Sequence, residues 1–182
     1  PPADPMFGNV HPETNTTTIW RVEGFEKAPY PTELFGQFFS GDSYVIMTSY
    51  KTSNRDNYLV YFWQGRDSSI NEKGASALLT VDVSAEFEGA PQIRVTQQHE
   101  TRHFMALFKN HIVIHNGKYV NYANRMKQSA VRMFDVRLAS EYRDMKNSSL
   151  RSIETYDVGK EQLNSNHVAL ILASDRKSAT VW

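Results

Sequence analysis

Three residues in the first half of the chain have the types and the spacing that suit a hard cation. Gly41 and Asp42 lie directly before an apolar run, SYVIMTSY, and Glu72 follows Asp42 by 30 residues. Calcium accepts six to eight oxygen ligands and tolerates main-chain carbonyls beside carboxylates. The Gly41 carbonyl and two carboxylates would therefore suit a calcium ion if the fold brings them together.

Each of these residues also has an ordinary structural explanation. A Gly-Asp pair before a strand is typical of a turn. Ser69 and Glu72 fit a capping box at the start of a helix, and a glutamate in a first helical turn also suits the helix dipole. The two roles for Glu72 compete for the same oxygens, so calcium would draw the side chain away from its cap.

Hydrophobic periodicity predicts the elements that position these residues. Pro29 and Pro31 indicate a loop after the first strand, and Gly89 and Pro91 indicate the end of a long helix. The expected strands cover residues 17–23, 43–50, 58–63, 92–97 and 112–115, and the expected helices cover 70–87 and 101–108.

The second part of the chain repeats the first in a shortened form. Strands are expected at 130–137, 152–156, 167–172 and 179–182, with WRV matching MFDV, GDSYVIM matching NSNHVALIL, and YFW matching TVW. No counterpart of the long helix follows. We therefore expect an extended arm (1–16), a complete unit (17–117), a linker (118–128) and a partial second unit (129–182), in a chain that is a fragment of a longer protein.

Composition excludes several classes of function. The chain of 182 residues has 20 basic and 20 acidic residues, which gives no basic excess for nucleic acid. It has no cysteine, which excludes disulfides and cysteine-based metal sites and fits a reducing compartment. No apolar run reaches the roughly 18 residues that a membrane span requires.

Several motifs occur together in the first unit: WRVE, PxxLFGQFFSGDSYVI, YFWQGRDSSxxEKGASA and QxxE…FMALFK. Together they resemble the gelsolin-like repeat of gelsolin, villin and severin, over residues 19–117. The first unit is most similar to the fourth repeat of the six-repeat members, and the partial unit to the fifth. The resemblance implies an α+β fold with a mixed five- to six-stranded sheet between one long and one short helix. It also implies a cytoplasmic, cytoskeletal protein that acts by binding and not as an enzyme, with actin and neighbouring gelsolin-like repeats as partners.

The resemblance also assigns roles to residues. Calcium would be bound by the Gly41 carbonyl, by Asp42, by Glu72 and by a later carbonyl near Lys118 or Tyr119. The second unit has Asn166-His167 where the family has Asn-Asp, so we expect no calcium there.

The same family pattern places the actin contact on the long helix. Leu78, with Leu79 beside it, would enter the hydrophobic cleft of actin. The carbonyl of Gly89 would contribute to a second calcium site shared with actin. Ser84 occupies the position of the aspartate in that second site, and a neutral hydroxyl is a poor calcium ligand. This substitution argues against the shared site.

Three functional hypotheses follow. The first is a calcium-regulated actin-binding module of a filament-severing or filament-capping protein. The second is a structural or regulatory repeat that does not bind actin. The third, a zinc hydrolase, rests on His99-Glu100-Thr101-Arg102-His103, which matches the HExxH pattern, with His111 or His115 as a third ligand.

Overall fold

The structure is a computed structural model that describes residues 16–52, 55–127, 131–138, 148–155, 168–174 and 177–181. Its helices are α1 (Ile70–Glu86), α2 (Arg102–Ala106) and α3 (Tyr122–Lys127), with short 3-10 turns at Thr32–Leu34 and Tyr119–Asn121. Its strands are β1 (Thr17–Glu23), β2 (Glu26–Pro29), β3 (Gln37–Phe39), β4 (Ser43–Thr52), β5 (Arg55–Gln64), β6 (Gln92–Thr96), β7 (His111–His115), β8 (Arg132–Leu138), β9 (Leu150–Glu154), β10 (Val168–Leu172) and β11 (Ala179–Val181).

The strands form two sheets. The first has the order β2-β1-β4-β5-β6, in which β5 and β6 are parallel and the other neighbours antiparallel. The second has the order β11-β10-β8-β9-β7-β3, in which β3, β7 and β9 run parallel. Mixed sheets combined with a few helices confirm the predicted α+β class.

Strand alternation divides the core between the two faces of the first sheet. On β4, Val45 and Met47 face α1, whereas Tyr44 and Ile46 face the opposite side. That opposite side is the larger core and includes Phe104 and Met105 of α2. The first sheet therefore lies between the long helix and the short helix, as the resemblance implies.

The long helix begins where the capping box predicts. The Ser69 hydroxyl accepts a hydrogen bond from the Glu72 N–H at 3.2 Å, and Glu72 Oε2 accepts one from the Ser69 N–H at 2.9 Å. These two bonds satisfy N–H groups that have no partner within the helix. The helix ends at Glu86, close to the predicted end.

Two strands lie in the segment that Pro29 and Pro31 led us to interpret as a loop, so that interpretation is wrong. β2 is an edge strand that pairs with β1, and Pro29 is its last residue, where a missing N–H is tolerated. β3 has only three residues and gains its hydrogen bonds from β7, far along the chain. A short strand of this kind has too few residues to establish a period.

The segment predicted as a linker contains α3 and a 3-10 turn. Tyr119 and Tyr122 pack edge-on against Phe39, with ring centroids 5.6 and 5.1 Å away, so the tyrosines of this segment belong to the core. The following strands β8, β10 and β11 are neighbours in the same order as β1, β4 and β5, to which the repeat pattern matches them.

The second unit shares a sheet with the first, because β9 pairs in parallel with β7. The predicted domain boundaries stay a prediction. Most of the predicted arm (1–15) and the pair Asn166-His167 lie outside the described residues. In the part of the chain that the structure describes, no helix is long and apolar enough to cross a membrane.

Candidate functional site

Asp42 lies between β3 and β4 and is completely buried. Its backbone is fixed, because its N–H donates to the Phe39 carbonyl at 3.1 Å and its carbonyl accepts from the Gly65 N–H at 3.0 Å. Its Oδ2 accepts from the Tyr119 N–H at 2.7 Å, whereas Oδ1 has no hydrogen-bond partner among the described residues. A buried carboxylate oxygen without a partner is costly and suits a ligand that arrives from outside.

Gly41 allows a second loop to approach Asp42. The Gly41 N–H donates to the Gly117 carbonyl at 2.9 Å. A Cβ atom at residue 41 would lie 2.8 Å from Lys118 Cγ and 3.0 Å from the Gly117 carbonyl carbon and oxygen. Any larger residue would therefore push residues 117 and 118 away from the carboxylates.

Glu72 contacts the same loop from the other side. Its Oε1 accepts from Lys118 Nζ at 2.7 Å, and its Oε2 accepts from the N–H and the hydroxyl of Ser69 at 2.9 and 2.8 Å. Burial alone would raise the pKa of the Glu72 carboxyl, but Lys118 and Ser69 outweigh this and hold the pKa below its usual value.

Asp42 has the opposite tendency. Burial raises the pKa of its carboxyl, while the Tyr119 N–H and the positive charge of Arg21 act to lower it. The charges of Glu72 and Lys118 also act on the Asp42 pKa, in opposite directions. The Lys118 ammonium, which is hydrogen-bonded to Glu72, thus also favours the charged form of Asp42.

The structure thus brings Gly41, Asp42, Glu72 and Tyr119 together, although their sequence positions are far apart. Tyr119 donates its N–H to Asp42, and its role as a carbonyl ligand stays a prediction. The Lys118 ammonium was not predicted as a partner for Glu72, because no local pattern relates residues 46 positions apart.

The donor set can be tested against calcium. Among the described residues, no group of three or more histidine or acidic side chains could hold a metal ion. Calcium would therefore depend on two carboxylates, on main-chain carbonyls and on water, a set that it accepts. The unpartnered Oδ1 of Asp42 fits such an ion, and the Lys118 ammonium provides a positive charge beside Glu72.

One face of α1 presents apolar side chains to solvent. Ile70, Leu78 and Val81 are 88, 65 and 52% exposed, and they lie within about 80° of one another around the helix axis. Leu79 is half-buried and packs on the first sheet. The two leucines thus differ, with Leu78 outward and Leu79 inward. We call the exposed residues Ile70, Gly74, Leu78 and Val81 the apolar stripe.

The other end of α1 is closed by Ser84. Its hydroxyl is buried and donates to the Ala90 carbonyl at 2.7 Å, and its own carbonyl accepts from the Gly89 N–H at 2.9 Å. Gly89 has a φ of +72°, which glycine adopts without strain, and it is exposed. Ser84 therefore ties the end of the helix to the Ala90 carbonyl, a contact that we call the Ser84 staple, and its side chain does not point towards a partner.

The zinc interpretation of HETRH is wrong. His99 and Glu100 precede α2, so His99 and His103 do not lie one turn apart on a helix. Glu100 is buried and accepts from Trp63 Nε1 at 3.0 Å and from the Arg151 guanidinium, and His103 pairs with the Tyr61 hydroxyl. These residues have structural partners and do not form an HExxH helix.

A family model for the Gelsolin repeat matches residues 24–105. Those residues form a gelsolin repeat. The match includes Asp42, Glu72 and all of α1, and it confirms the resemblance found in the motifs.

Two curated relatives extend the similarity. Villidin of Dictyostelium discoideum is 46% identical over 111 residues, which is 60% of this chain and 6% of villidin. Advillin of Mus musculus is 35% identical over 154 residues, which is 84% of this chain and 18% of advillin. The chain thus spans less than a fifth of the length of either relative.

A solved complex, the Thorarchaeota 2DGel3 protein with rabbit actin, aligns with a TM-score of 0.41 and 21% identity. The alignment covers 91% of this chain and 75% of that one.

Proposed function

We propose that this gelsolin repeat is a calcium-regulated actin-binding module of a filament-severing or filament-capping protein. The observation that carries the proposal is the apolar stripe on α1, which begins in the same helical turn as Glu72. Localisation to the cytoplasm and to the cytoskeleton belongs to the same proposal.

The stripe supports a partner of a definite kind. Leu78 has no role in the core, yet it lies on a helix whose opposite face is well packed. An amphipathic helix with a second apolar face fits a hydrophobic groove on another protein. In gelsolin-like repeats the corresponding aliphatic residue enters the cleft of actin, and we assign the same occupant here.

The calcium part of the proposal rests on Asp42 and Glu72. Asp42 would offer its unpartnered Oδ1, and Glu72 would offer Oε1, which now accepts from Lys118. A calcium ion would therefore compete with the Lys118 ammonium for Glu72. Because Glu72 also caps α1, binding of the ion would act on the turn in which the apolar stripe starts.

The proposal is tested by co-sedimentation with filamentous actin, in calcium and in chelator. Leu78→Ala should weaken binding by roughly tenfold, because it removes most of one leucine's contact area. The matched control is Phe25→Ala, which removes an exposed apolar side chain (69% exposed) from the β1–β2 turn and should leave binding unchanged. Equal binding by all three proteins would contradict the assigned face.

A second function remains a competing proposal because of Ser84. Ser84 occupies the position at which the family has an aspartate, so the calcium site shared with actin lacks its carboxylate ligand. A repeat without that site suits a structural or regulatory role. This alternative is favoured if the unmodified protein fails to co-sediment with actin both in calcium and in chelator. Binding that is equal in calcium and in chelator would support actin binding and contradict its regulation.

A further inference from the structure

A buried glutamate of the second unit reaches the candidate calcium site through one loop. Glu154, the last residue of β9, is 4% exposed. Its Oε1 accepts from Arg125 and from Arg132, both at 2.7 Å, and its Oε2 accepts from the Asn116 N–H at 2.8 Å. Arg125 also donates to the Asn116 carbonyl. Both polar backbone groups of residue 116 are therefore fixed by this cluster.

The loop that starts at Asn116 ends at the two carboxylates. The Gly117 N–H donates to the Ser40 hydroxyl at 3.1 Å, and the Gly117 carbonyl accepts from Gly41. The next two residues, Lys118 and Tyr119, contact Glu72 and Asp42. We call residues 116–119 the bridging loop. It has the Glu154 cluster at one end and the candidate site at the other.

We propose that Glu154 is a positioning residue for the calcium site, through which the second unit sets the calcium affinity of the first. This inference rests on the proposed calcium function. Glu154 does not bind the ion. It holds the bridging loop in the place where residues 117–119 face Gly41, Asp42 and Glu72, and residues that orient ligands in this way typically change metal affinity by about 10- to 100-fold when they are lost.

The negative charge of Glu154 strengthens its contacts with Arg125, Arg132 and the bridging loop. Two guanidinium groups and a backbone N–H converge on one carboxylate, which is a charge-assisted arrangement in a buried place. Glu154→Gln keeps the size of the side chain but leaves Arg125 and Arg132 without their buried counter-charge. The single amide oxygen can accept from the arginines or from the Asn116 N–H but not from both, so residue 116 and Arg125 are held less firmly.

Glu100 provides a matched control. It is also buried (5% exposed), and it also pairs with an arginine of β9, Arg151. Its other partners are Trp63 Nε1 and the Gln98 N–H, which lie outside the bridging loop. Glu100→Gln therefore breaks a buried ion pair between the same two units without touching residues 116–119.

The first measurement needs no calcium. Hydrogen–deuterium exchange is followed in chelator for peptides that cover residues 116–119, where the Tyr119 N–H is bonded to Asp42. Faster exchange of these peptides is expected in Glu154→Gln and not in Glu100→Gln. Equal exchange in the two variants would overturn the positioning role.

The second measurement is calcium titration by calorimetry on the same three proteins. Affinity should fall about tenfold in Glu154→Gln and stay within twofold of the unmodified protein in Glu100→Gln. Equal losses in both variants, or no loss in either, would overturn the inference while calcium binding itself stands. No binding by the unmodified protein would instead overturn the proposed calcium function. If Glu154→Gln does not fold, Arg125→Gln replaces it, with a smaller loss expected in the same direction.

Discussion

Near both ends of α1, polar side chains occupy positions at which the family binds cations. The two ends differ in the oxygen atoms that are available to an ion. At the first end, Asp42 has a buried oxygen without a partner among the described residues, and Glu72 is bonded to a lysine that can move away. At the second end, the neutral Ser84 has already given its only hydrogen to Ala90.

The difference teaches what makes an ion site usable. A polar side chain alone is insufficient, because calcium needs carboxylates among its ligands and the present partner of each ligand oxygen must be exchangeable. The Lys118 ammonium balances charge at the first end without closing it, since lysine is flexible and 44% of its side chain is exposed. The Ser84 staple closes the second end, because the buried hydroxyl is neutral and already bonded to the Ala90 carbonyl.

Asp42→Asn should have the largest effect on the difference between the two ends. An amide keeps an oxygen for the Tyr119 N–H but removes the negative charge, so calcium affinity should fall by about 100-fold or more, measured by calorimetry. Asp82→Asn, an exposed change ten residues after Glu72 on α1, is the control and should have no effect. Unchanged affinity in Asp42→Asn would place the ion elsewhere.

Acid should destabilise the fold through His115, which is buried beside Glu154. Burial, together with Arg132 and Arg125, lowers the pKa of His115 from 6.5 to about 4, against the opposing charge of Glu154. His115 therefore binds a proton in the unfolded chain at pH values at which it stays neutral in the folded protein. Stability is lost as the pH falls from about 6.5 to 4. Between pH 7 and pH 5 the free energy of unfolding should decrease by about 2 kcal/mol from this residue.

Urea unfolding at the two pH values measures this loss. His115→Gln should reduce the pH-dependent loss by about that amount, whatever its effect on stability at pH 7. The same decrease in both proteins would show that other groups cause it.

Ser84→Ala tests the second end. Removal of the hydroxyl leaves the Ala90 carbonyl without this donor, so the free energy of unfolding should fall by about 1 kcal/mol. The number of calcium ions bound should not change, because the hydroxyl is not available as a ligand. A lower stoichiometry in the variant would mean that the staple opens in solution and that the two ends are more alike than the structure indicates.

Lys118→Met should produce the smallest effect and in the opposite direction. Loss of the competing ammonium frees Glu72 Oε1, and calcium affinity should rise about threefold, which is the scale of a partly exposed ion pair. Lys51→Met, remote from the site, is the control. Weaker binding in Lys118→Met would mean that the lysine supports the loop more than it competes with the ion.

Local patterns predicted most of the first unit. The start of α1 followed from Ser69 and Glu72 because both partners of a capping box lie within four residues. The strand β1 followed from alternation, and β4 and β5 followed from apolar runs. The gelsolin-like pattern pointed to Asp42 and Leu78. β2 and β3 were missed because they are short and because their hydrogen bonds come from other strands.

The bridging loop could not be predicted in the same way. The Lys118 contact with Glu72 and the Glu154 contact with Asn116 join residues 46 and 38 positions apart. The Glu154 contact depends on the pairing of β7 with β9, and no periodicity along the chain encodes that pairing. The polar composition of residues 118–128 suggested a linker. Tyr119 and Tyr122 are nevertheless packed in the core, because they contact Phe39, which is far away in the sequence.

The parallel pairing of β7 with β9 limits the modularity of this protein. A chain shortened at residue 117, where the sequence suggests a boundary, would keep β7 and its partner β3 but lose β9, and would expose an open strand edge on β7. Glu100 would at the same time lose Arg151 and remain as a buried charge. The first unit thus shares a sheet and a buried ion pair with its successor, so we expect removal of the second unit to destabilise the first.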